Sequence, residues 1–398
     1  MPQEKFFAAT PEEVGVDSAK VDDLFQRAEK EVREGLLPSV QIAIAREGRI
    51  AAMRTLGSVM HGGREAPATD ETLYCVFSCT KAVTSAAGWL VIQEGKLGLD
   101  ERVADVIPEF GSHGKDVVTV EQLFLHTAGF PQAPYPQQEW LSRQKRLERF
   151  AKWRLVFEPG SRFEYHPTAS MWVIAELIER RTGMPYQQFI RERISLPLGL
   201  PDLYVGLPPE QHGRTADVVY VAEEMTDAEF EKLGFPRPPE TEVTPEAILG
   251  FNSAITREGG APGGGGMMTA GDLALFYQAL LTGRAHDGAV IWTEETLAMA
   301  REVRSGDLVD PVFGRPVNRG LGVVIAGDKQ RNMRGFGHTN SELAFGHGGA
   351  GGQIGWADPA TGLSLGYCTN GFDRHMVRQA RRGIGISSRA AQCAETEQ

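Results

Sequence analysis

Ser78 and Lys81 are the residues of this sequence best suited to covalent chemistry, because a hydroxyl and an amine stand three positions apart before an apolar stretch. The run from Ala82 to Ile92 predicts a buried helix that ends near Gly95. At its first turn the Ser78 amide is free to bind an anion, and Lys81 lies on the same side. We interpret the pair as a nucleophile with a proton acceptor; the alternative is a helix cap beside a snorkelling lysine.

The same spacing occurs twice more, so the spacing alone is not decisive. Ser112 and Lys115 lie in a polar, glycine-flanked stretch without an apolar helix behind it. Ser142 and Lys145 lie among charged residues that are typical of a solvated helix face. The sequence therefore predicts a dry, fixed lysine only beside Ser78.

A serine hydroxyl needs a nearby group to take its proton, and a charged lysine is a poor base. Tyr165 follows the turn at Pro159 and Gly160 and precedes a helical pattern, which indicates a rigid corner. A phenol and an amine both titrate near pH ~10 in water, so sharing one proton gives a usable base only after a large shift. Lys81 and Tyr165 are predicted to form that pair, unless Tyr165 is a half-buried structural tyrosine.

A third segment, from His347 to Gly352, reads as a strand end that runs into glycines and exposes bare backbone. We expect the amides of Ser78 and Ala350 to bind the oxyanion of a tetrahedral intermediate, worth about 10² to 10³ in rate per donor. His347, Gly348 and Gly349 are expected to contact substrate. For His347 a polar strand-end position without a role in proton transfer is the alternative.

Three segments together resemble the serine hydrolases related to class C β-lactamases and penicillin-binding proteins. They are Ser78-Cys79-Thr80-Lys81, Tyr165-His166-Pro167 and His347-Gly348-Gly349, in the order and rough spacing of that superfamily. The stretches 125–129 and 264–273 look like recurring structural segments of the same proteins. The resemblance implies that Ser78 is acylated, that Lys81 and Tyr165 transfer protons, and that the Ser78 and Ala350 amides form the oxyanion hole.

The sequence departs from the β-lactamase pattern at two positions, and at both positions it resembles the family VIII carboxylesterases. Pro167 stands where β-lactamases usually have an asparagine that contacts the substrate amide, and His347 stands where they usually have a lysine. The resemblance therefore implies a carboxylesterase that cleaves short-chain esters through an acyl-enzyme. The alternatives are a β-lactam or D-amino-acid amide hydrolase, an acyltransferase on the same site, and a catalytically silent binding or filament-forming homologue.

Periodicity predicts how the chain is organised around these segments. Residues 18–34 have helical spacing, and residues 40–45 and 50–56 read as strands. From Ser78 to about Gly250 the pattern is helical and rich in loops, without a convincing strand, and 206–246 reads as irregular. Strands return at 323–326, 343–347, 353–356 and 363–369, before a closing helix at 374–382.

This pattern predicts an α/β (α+β) fold with one antiparallel sheet built from both chain termini, flanked by helices. We expect a discontinuous α/β domain, 1–80 and 260–398, and a mainly helical domain, 81–259, with the active site at their interface. The resemblance implies the same β-lactamase-like fold.

Composition limits the class of protein further. The 398 residues carry a formal net charge of −11, which argues against nucleic acid or an anionic membrane as a partner. No apolar run approaches a membrane span, and four cysteines without a CxxC pair read as reduced thiols. We expect a soluble, cytoplasmic protein that acts on a small-molecule ester. The oligomeric state is left open.

The remaining candidates concern the pocket and competing motifs. Phe130, Tyr135 and Trp356 are expected to line the acyl pocket, or else to be ordinary core residues. Ser364, in a GxSxG pattern, is predicted not to be a nucleophile because a strand continues through it instead of a sharp turn into a helix. Scattered histidines and the absence of a phosphate-loop sequel predict neither a metal site nor a cofactor.

Overall fold

The computed structural model describes residues 2–234, 237, 243–312 and 314–395. The strands are β1 Ser39–Arg46, β2 Arg49–His61, β3 Arg64–Pro67, β4 Tyr74–Cys75, β5 Tyr204–Val205, β6 Val219–Val221, β7 Gly266–Met268, β8 Val309–Asp310, β9 Arg315–Pro316, β10 Val324–Ile325, β11 Phe345–Gly349, β12 Gln353–Asp358, β13 Leu363–Thr369 and β14 Gly371–Asp373. The helices are α1 Ser18–Arg33, α2 Thr80–Gln93, α3 Val103–Val106, α4 Val120–Phe124, α5 Arg143–Lys152, α6 Ala169–Thr182, α7 Tyr186–Ile190, α8 Asp227–Leu233, α9 Pro245–Gly250, α10 Ala254–Gly259, α11 Ala270–Thr282, α12 Glu294–Arg301 and α13 Met376–Ala390.

The largest sheet is built from both ends of the chain, as the periodicity predicted. Its seven strands follow the order β10-β11-β12-β13-β1-β2-β3, and every neighbouring pair is antiparallel. The centre of the sheet joins β1 to β13, so residues more than 300 positions apart become neighbours, for example Ile42 and Tyr367. The predicted α/β fold with an antiparallel sheet flanked by helices is confirmed.

Helices cover both faces of this sheet. Helices α1 and α13 pack on one face, where Leu24, Phe25 and Ile386 join an apolar cluster with the side chains of β1, β12 and β13. Helix α11 packs on the other face. There it meets Gly355 and Gly366, where any side chain would collide with Tyr277 or with the α11 backbone. The glycines therefore let the helix approach the sheet closely, a role that only a missing Cβ permits.

Helix α2 lies at the centre of the molecule, behind the first turn that carries Ser78. Its residues from Thr80 to Val91 are all buried, so it is surrounded by protein instead of showing one solvated face. Trp89 is anchored by its indole N–H, which donates to the carbonyl of Leu321 at 3.1 Å. A helix packed on all sides has little freedom to shift, and it holds its first turn in place.

The part between α2 and α11 is mainly helical, but it contains strands that the sequence did not indicate. Strand β5 joins β4 and β7 in a small sheet, and β6 pairs in parallel with β14. The expectation of no strand between 78 and 250 is thus wrong for these two elements. Two or three residues are too few to show an alternating pattern.

The segment 206–246, expected to be irregular, contains β6, α8 and the start of α9, and part of it lies outside the described residues. Among the residues that are described, no helix is long and apolar enough to cross a bilayer.

Candidate active site

Ser78 lies in a single 3₁₀ turn, Phe77–Cys79, between strand β4 and helix α2. The turn is strained, because Phe77 has a φ of +43°, a conformation that bulky residues rarely adopt. Thr80 holds it in place: its hydroxyl donates to the Phe77 carbonyl at 2.6 Å and accepts from the Gly266 amide at 2.8 Å. Ser78 is therefore presented, half-buried, from a turn that is tied both to its own helix and to β7.

Lys81 is fully buried and its amine has three oxygen neighbours. Nζ lies 3.2 Å from Ser78 Oγ, 2.6 Å from the Pro167 carbonyl and 2.7 Å from the Gly263 carbonyl. An ammonium group would donate one proton to each oxygen. A neutral amine would donate to the two carbonyls, which leaves its lone pair directed at Ser78 Oγ. The cage thus suits both protonation states and aims the exchangeable proton at the serine.

Tyr165 is half-buried beside this cage. Lys81 Nζ lies 5.0 Å from the centre of the tyrosine ring. On another side the ring of His126 packs at 4.6 Å between centroids. Lys81 therefore lies next to Ser78 and next to Tyr165, the residue with which the sequence predicted it to share a proton.

Two buried histidines fix the segment that carries Tyr165. His126 Nδ1 accepts from the His166 amide at 3.2 Å, and His166 Nε2 accepts from the Phe130 amide at 3.2 Å. Burial lowers the pKa of His166 to about 3. Burial, followed by the charge of Arg319, holds the pKa of His126 well below its usual range. Both rings are neutral acceptors near pH 7, and they act here as structural supports of the tyrosine corner.

The third segment packs directly against the turn that carries Ser78. Cys79 Sγ donates to the His347 carbonyl at 3.0 Å, and any side chain at Gly349 would lie 2.3 Å from the Val76 carbonyl. Ala350 and Ser78 consequently line the same cavity. Gly348 is exposed and Gly349 is buried at the end of β11. Ser78 and Ala350 therefore border one cleft, whereas His347, Gly348 and Gly349, which were expected to contact substrate, are not among its lining residues.

His347 is buried and held as a neutral ring. Its Nδ1 lies 2.7 Å from the Gly348 carbonyl, and its Nε2 lies 3.3 Å from Nη1 of Arg319. The first contact requires a proton on Nδ1, so Nε2 accepts from the guanidinium. Burial, with Arg319 and Lys81 nearby, holds the pKa of His347 well below its usual range. Sequence reasoning missed Arg319, which belongs to none of the recognised segments.

The cleft beside Ser78 has a volume of about 370 Å³ and mostly apolar walls. Phe77, Trp140 and Phe251 form an aromatic cluster there, with centroid distances of 5.2 Å and 5.6 Å from Phe251 to the other two rings. Helix α9 forms another wall. Within the described chain, Glu246 is the one carboxylate of this lining, and the lining contains no lysine or arginine.

Of the three residues expected to line the acyl pocket, only Tyr135 does so. The expectation for Trp356 is wrong. Trp356 lies in the apolar cluster beneath α13, and its indole N–H donates to Ser387 Oγ at 3.2 Å. The expectation for Phe130 is wrong as well. It stacks on Trp153 at 5.7 Å and borders a separate cavity of about 250 Å³. The sequence in turn missed Trp140 and Phe251, because neither lies near a recognised motif.

The competing serines have structural contacts. Ser364 is fully buried, donates to the Ala274 carbonyl at 2.8 Å and accepts from the Gln278 side-chain amide at 2.9 Å. The expectation of a dry, fixed lysine only beside Ser78 is wrong, because Lys115 is also fully buried and its Nζ lies 3.3 Å from Ser112 Oγ. Burial lowers the pKa of Lys115 to about 8. Ser112 differs from Ser78 in that its hydroxyl donates to the Ala151 carbonyl at 2.6 Å and borders neither of the two cavities described above. Among the residues that the structure describes, no group of three His, Cys, Asp or Glu side chains is arranged to hold a metal ion.

The Beta-lactamase family model matches residues 22–386. The chain belongs to the Beta-lactamase family. It is thus a member of a serine hydrolase superfamily with this fold, in agreement with the resemblance of its three segments. The match spans nearly all of the described sheet and helices, from within α1 to within α13.

The proteins to which this chain is similar are named for different activities. The chain is 27% identical to a putative D-alanyl-D-alanine carboxypeptidase of Escherichia coli, over 90% of this chain and 83% of that protein. It is also 27% identical to the esterase/beta-lactamase LipL of Mycobacterium tuberculosis, over 80% and 74% of the two chains. A solved family VIII carboxylesterase is 27% identical, with a TM-score of 0.77 over 94% of this chain and 99% of that one.

Proposed function

We propose that this protein is a carboxylesterase that cleaves short-chain carboxylic esters through an acyl-enzyme on Ser78. The observation that carries the proposal is the Lys81 cage: a buried amine whose third contact is the Ser78 hydroxyl, at 3.2 Å. Two carbonyls occupy the other directions, so proton exchange with Ser78 needs no movement of the amine. An activated serine nucleophile requires such a proton acceptor together with an open cleft. Ser78 borders the cavity of about 370 Å³, whereas Ser112, beside the similarly bonded Lys115, borders neither of the two cavities described above.

In the proposed acylation, Ser78 Oγ attacks the ester carbonyl carbon while its proton passes to the Lys81–Tyr165 pair. The carbonyl π electrons move onto oxygen, and the resulting oxyanion accepts from the Ser78 and Ala350 amides. Collapse of the tetrahedral intermediate breaks the bond to the alcohol oxygen, which takes the proton back from the pair. Water then repeats the sequence on the acyl-enzyme and releases the carboxylic acid and free Ser78.

Ester cleavage is favoured over lactam cleavage by the groups around the nucleophile. Pro167 offers only its carbonyl to the site, and that carbonyl is already used by Lys81. His347 is neutral where β-lactamases usually have a lysine. The apolar cleft carries Glu246 and, among its described lining residues, no cation, so a neutral acyl or alcohol group fits it best. The sequence similarity to a family VIII carboxylesterase supports the same choice.

A D-amino-acid amide hydrolase is the second candidate, since the Escherichia coli relative is named a D-alanyl-D-alanine carboxypeptidase. Initial rates on a nitrophenyl acetate or butyrate, a chromogenic cephalosporin and a D-alanyl amide distinguish the two. We expect kcat/KM to be largest for the nitrophenyl ester and to vanish in Ser78→Ala. Efficient turnover of the amide or the cephalosporin with negligible ester cleavage would reverse the assignment.

A further inference from the structure

Arg319 brings a second cation to the site from a part of the chain that contains no recognised motif. It lies between β9 and β10, and its guanidinium carbon is 5.4 Å from the Tyr165 ring and 5.5 Å from the Phe163 ring. Nη1 donates to His347 Nε2 at 3.3 Å. One side chain therefore contacts both the tyrosine corner and the third segment.

Two hydrogen bonds hold the backbone of Arg319 in place. The Arg319 amide donates to Ser305 Oγ at 2.9 Å, and its carbonyl accepts from the Arg304 amide at 2.8 Å. Its Nε atom is buried and makes no hydrogen bond within the described chain. A positive charge held in this way acts on its neighbours through a partly dry medium, where electrostatic interactions are stronger than in water.

The groups that face Tyr165 come from four parts of the chain. Lys81 lies on α2, His126 follows α4, and Arg319 and His347 approach from the β9–β10 connection and β11. The two histidines are neutral near pH 7 because burial lowers the pKa of each ring. Two groups act on Arg319 through their negative charge: the phenol of Tyr165 and the carboxylate of Asp310 on β8. Lys81 and Arg319 are thus the fixed cations beside the phenol.

We propose that Arg319 is the positioning cation of this active site: it stabilises negative charge on Tyr165 during proton transfer and holds His347 as a neutral acceptor. Arg319 is not among the residues that border the cleft, so its charge acts on Tyr165 and His347 and not on a carboxylate of the substrate. The inference rests on the proposed function of Tyr165 as a member of the proton-transfer pair.

The test is the pH dependence of kcat/KM for a neutral nitrophenyl ester. Removing a cation about 5 Å from a phenol disfavours the phenolate, so the acid limb of the profile in Arg319→Gln should move about 1 to 2 pH units upward. At pH 7 the rate should fall about tenfold or more, with KM little changed, and recover at alkaline pH. Arg319→Lys keeps the charge and should restore most of the wild-type profile.

Two further variants separate this role from a structural one. Arg319→Met keeps apolar packing on Phe163 and should reproduce the shift if Arg319→Gln fails to fold. Arg301→Gln is the matched control, because Arg301 packs on Phe345 at 5.2 Å, away from Tyr165, and should leave the acid limb unchanged. The same acid limb in Arg319→Met as in wild type would overturn the inference.

A third arm tests the competing role of Arg319 in binding substrate. If KM rises in Arg319→Gln only for an ester that carries a second, free carboxylate, with the acid limb unmoved, the positioning role is wrong. Fluorophosphonate labelling of wild-type Ser78 keeps the two proposals apart. Labelled Ser78 with an unmoved acid limb defeats the Arg319 inference alone, whereas absence of label on Ser78 defeats the proposed function.

Discussion

At the scale of single residues, the proposed chemistry depends on the position of one amine. Lys81 Nζ is held by the Pro167 and Gly263 carbonyls, and its third contact is Ser78 Oγ, the proposed nucleophile. Gly263 matters for a second reason. A Cβ there would lie 3.1 Å from the Pro167 carbonyl, 3.2 Å from Met171 Cγ and 3.3 Å from Lys81 Nζ. A methyl group at this position would therefore press on the cage, and its neighbours would have to shift by a few tenths of an ångström.

We predict that Gly263→Ala lowers kcat about tenfold, because the added methyl group pushes the amine or the Pro167 carbonyl by a few tenths of an ångström. Gly264→Ala is the control, since its Cβ would meet only Phe251 at an ordinary 3.7 Å. Steady-state kinetics on a nitrophenyl ester, with thermal melting of both variants, measures the effect. Equal kcat values in the two variants would show that the cage tolerates displacement.

Ser78, Lys81 and Tyr165 could be found from the sequence because each lies in a short linear pattern. Arg319 could not, since the stretch Asn318-Arg319-Gly320 carries no pattern and acts only through tertiary contacts. The cause of the neutrality of His347, burial beside two cations, depends on the folded structure and is not visible in the sequence.

At the scale of elements, the alternation of side chains along a strand explains why the expectation for Trp356 was wrong. Successive side chains on β12 point to opposite faces. Gly355 faces Tyr277 on α11, so its neighbour Trp356 must face α13 and Ser387 instead of the cleft. The sequence identified the strand but carried no information on which face lay towards the nucleophile. Phe130 was misplaced similarly, because a loop residue has no periodicity that reveals its direction.

The aromatic wall of the cleft leads to a prediction about substrate size. Trp140 packs on Phe251 and lines the cavity beside Ser78. Trp140→Ala should lower kcat/KM for a nitrophenyl ester with a phenyl-bearing acyl group about tenfold, since roughly 1 to 2 kcal/mol of apolar contact is lost. Acetate ester turnover should change much less.

Trp153→Ala is the matched control for that variant, because Trp153 is a buried tryptophan that lines the other cavity. Both substitutions should lower the melting temperature, but only Trp140→Ala should change the ratio of kcat/KM values between the two esters. If Trp153→Ala changes the ratio equally, the cleft beside Ser78 is not the cavity that selects the substrate.

At the scale of the whole molecule, the sheet made from both termini was predictable because the segments that form most of its strands alternate or run apolar over at least four residues. The short strands β5 and β6 were not predictable, since pairing with partners distant in the sequence creates them. The division into an α/β domain and a helical domain stays a prediction. Helix α2 is the rigid element of the site, and β11 and the segment that carries Tyr165 pack around its first turn.

The buried histidines lead to a prediction about stability and pH. His126, His166 and His347 have pKa values below the usual ~6.5 when folded, so unfolding takes up protons below that pH. Stability should therefore fall as the pH drops from 6.5 towards 5. Asp272 opposes this, because burial raises its pKa to about 7 and unfolding releases its proton.

Three histidines outweigh one aspartate, so the free energy of unfolding should decrease by at most about 2.7 kcal/mol per pH unit in this range. Urea denaturation at pH 7, 6 and 5 measures the slope. His166→Asn should have a shallower slope than wild type, whereas substitution of the exposed His338 should leave the slope unchanged. A wild-type slope of zero would mean that the buried rings are protonated in the folded protein.

The central claim is that Ser78 is the acylated nucleophile, and covalent labelling tests it most directly. Wild-type protein treated with a fluorophosphonate should gain the mass of one phosphonyl group, and peptide mapping should place that group on the peptide containing Ser78. Ser78→Ala should gain no mass. A label on Ser112, Ser142 or Ser364, or full labelling of the Ser78→Ala variant, would contradict the account.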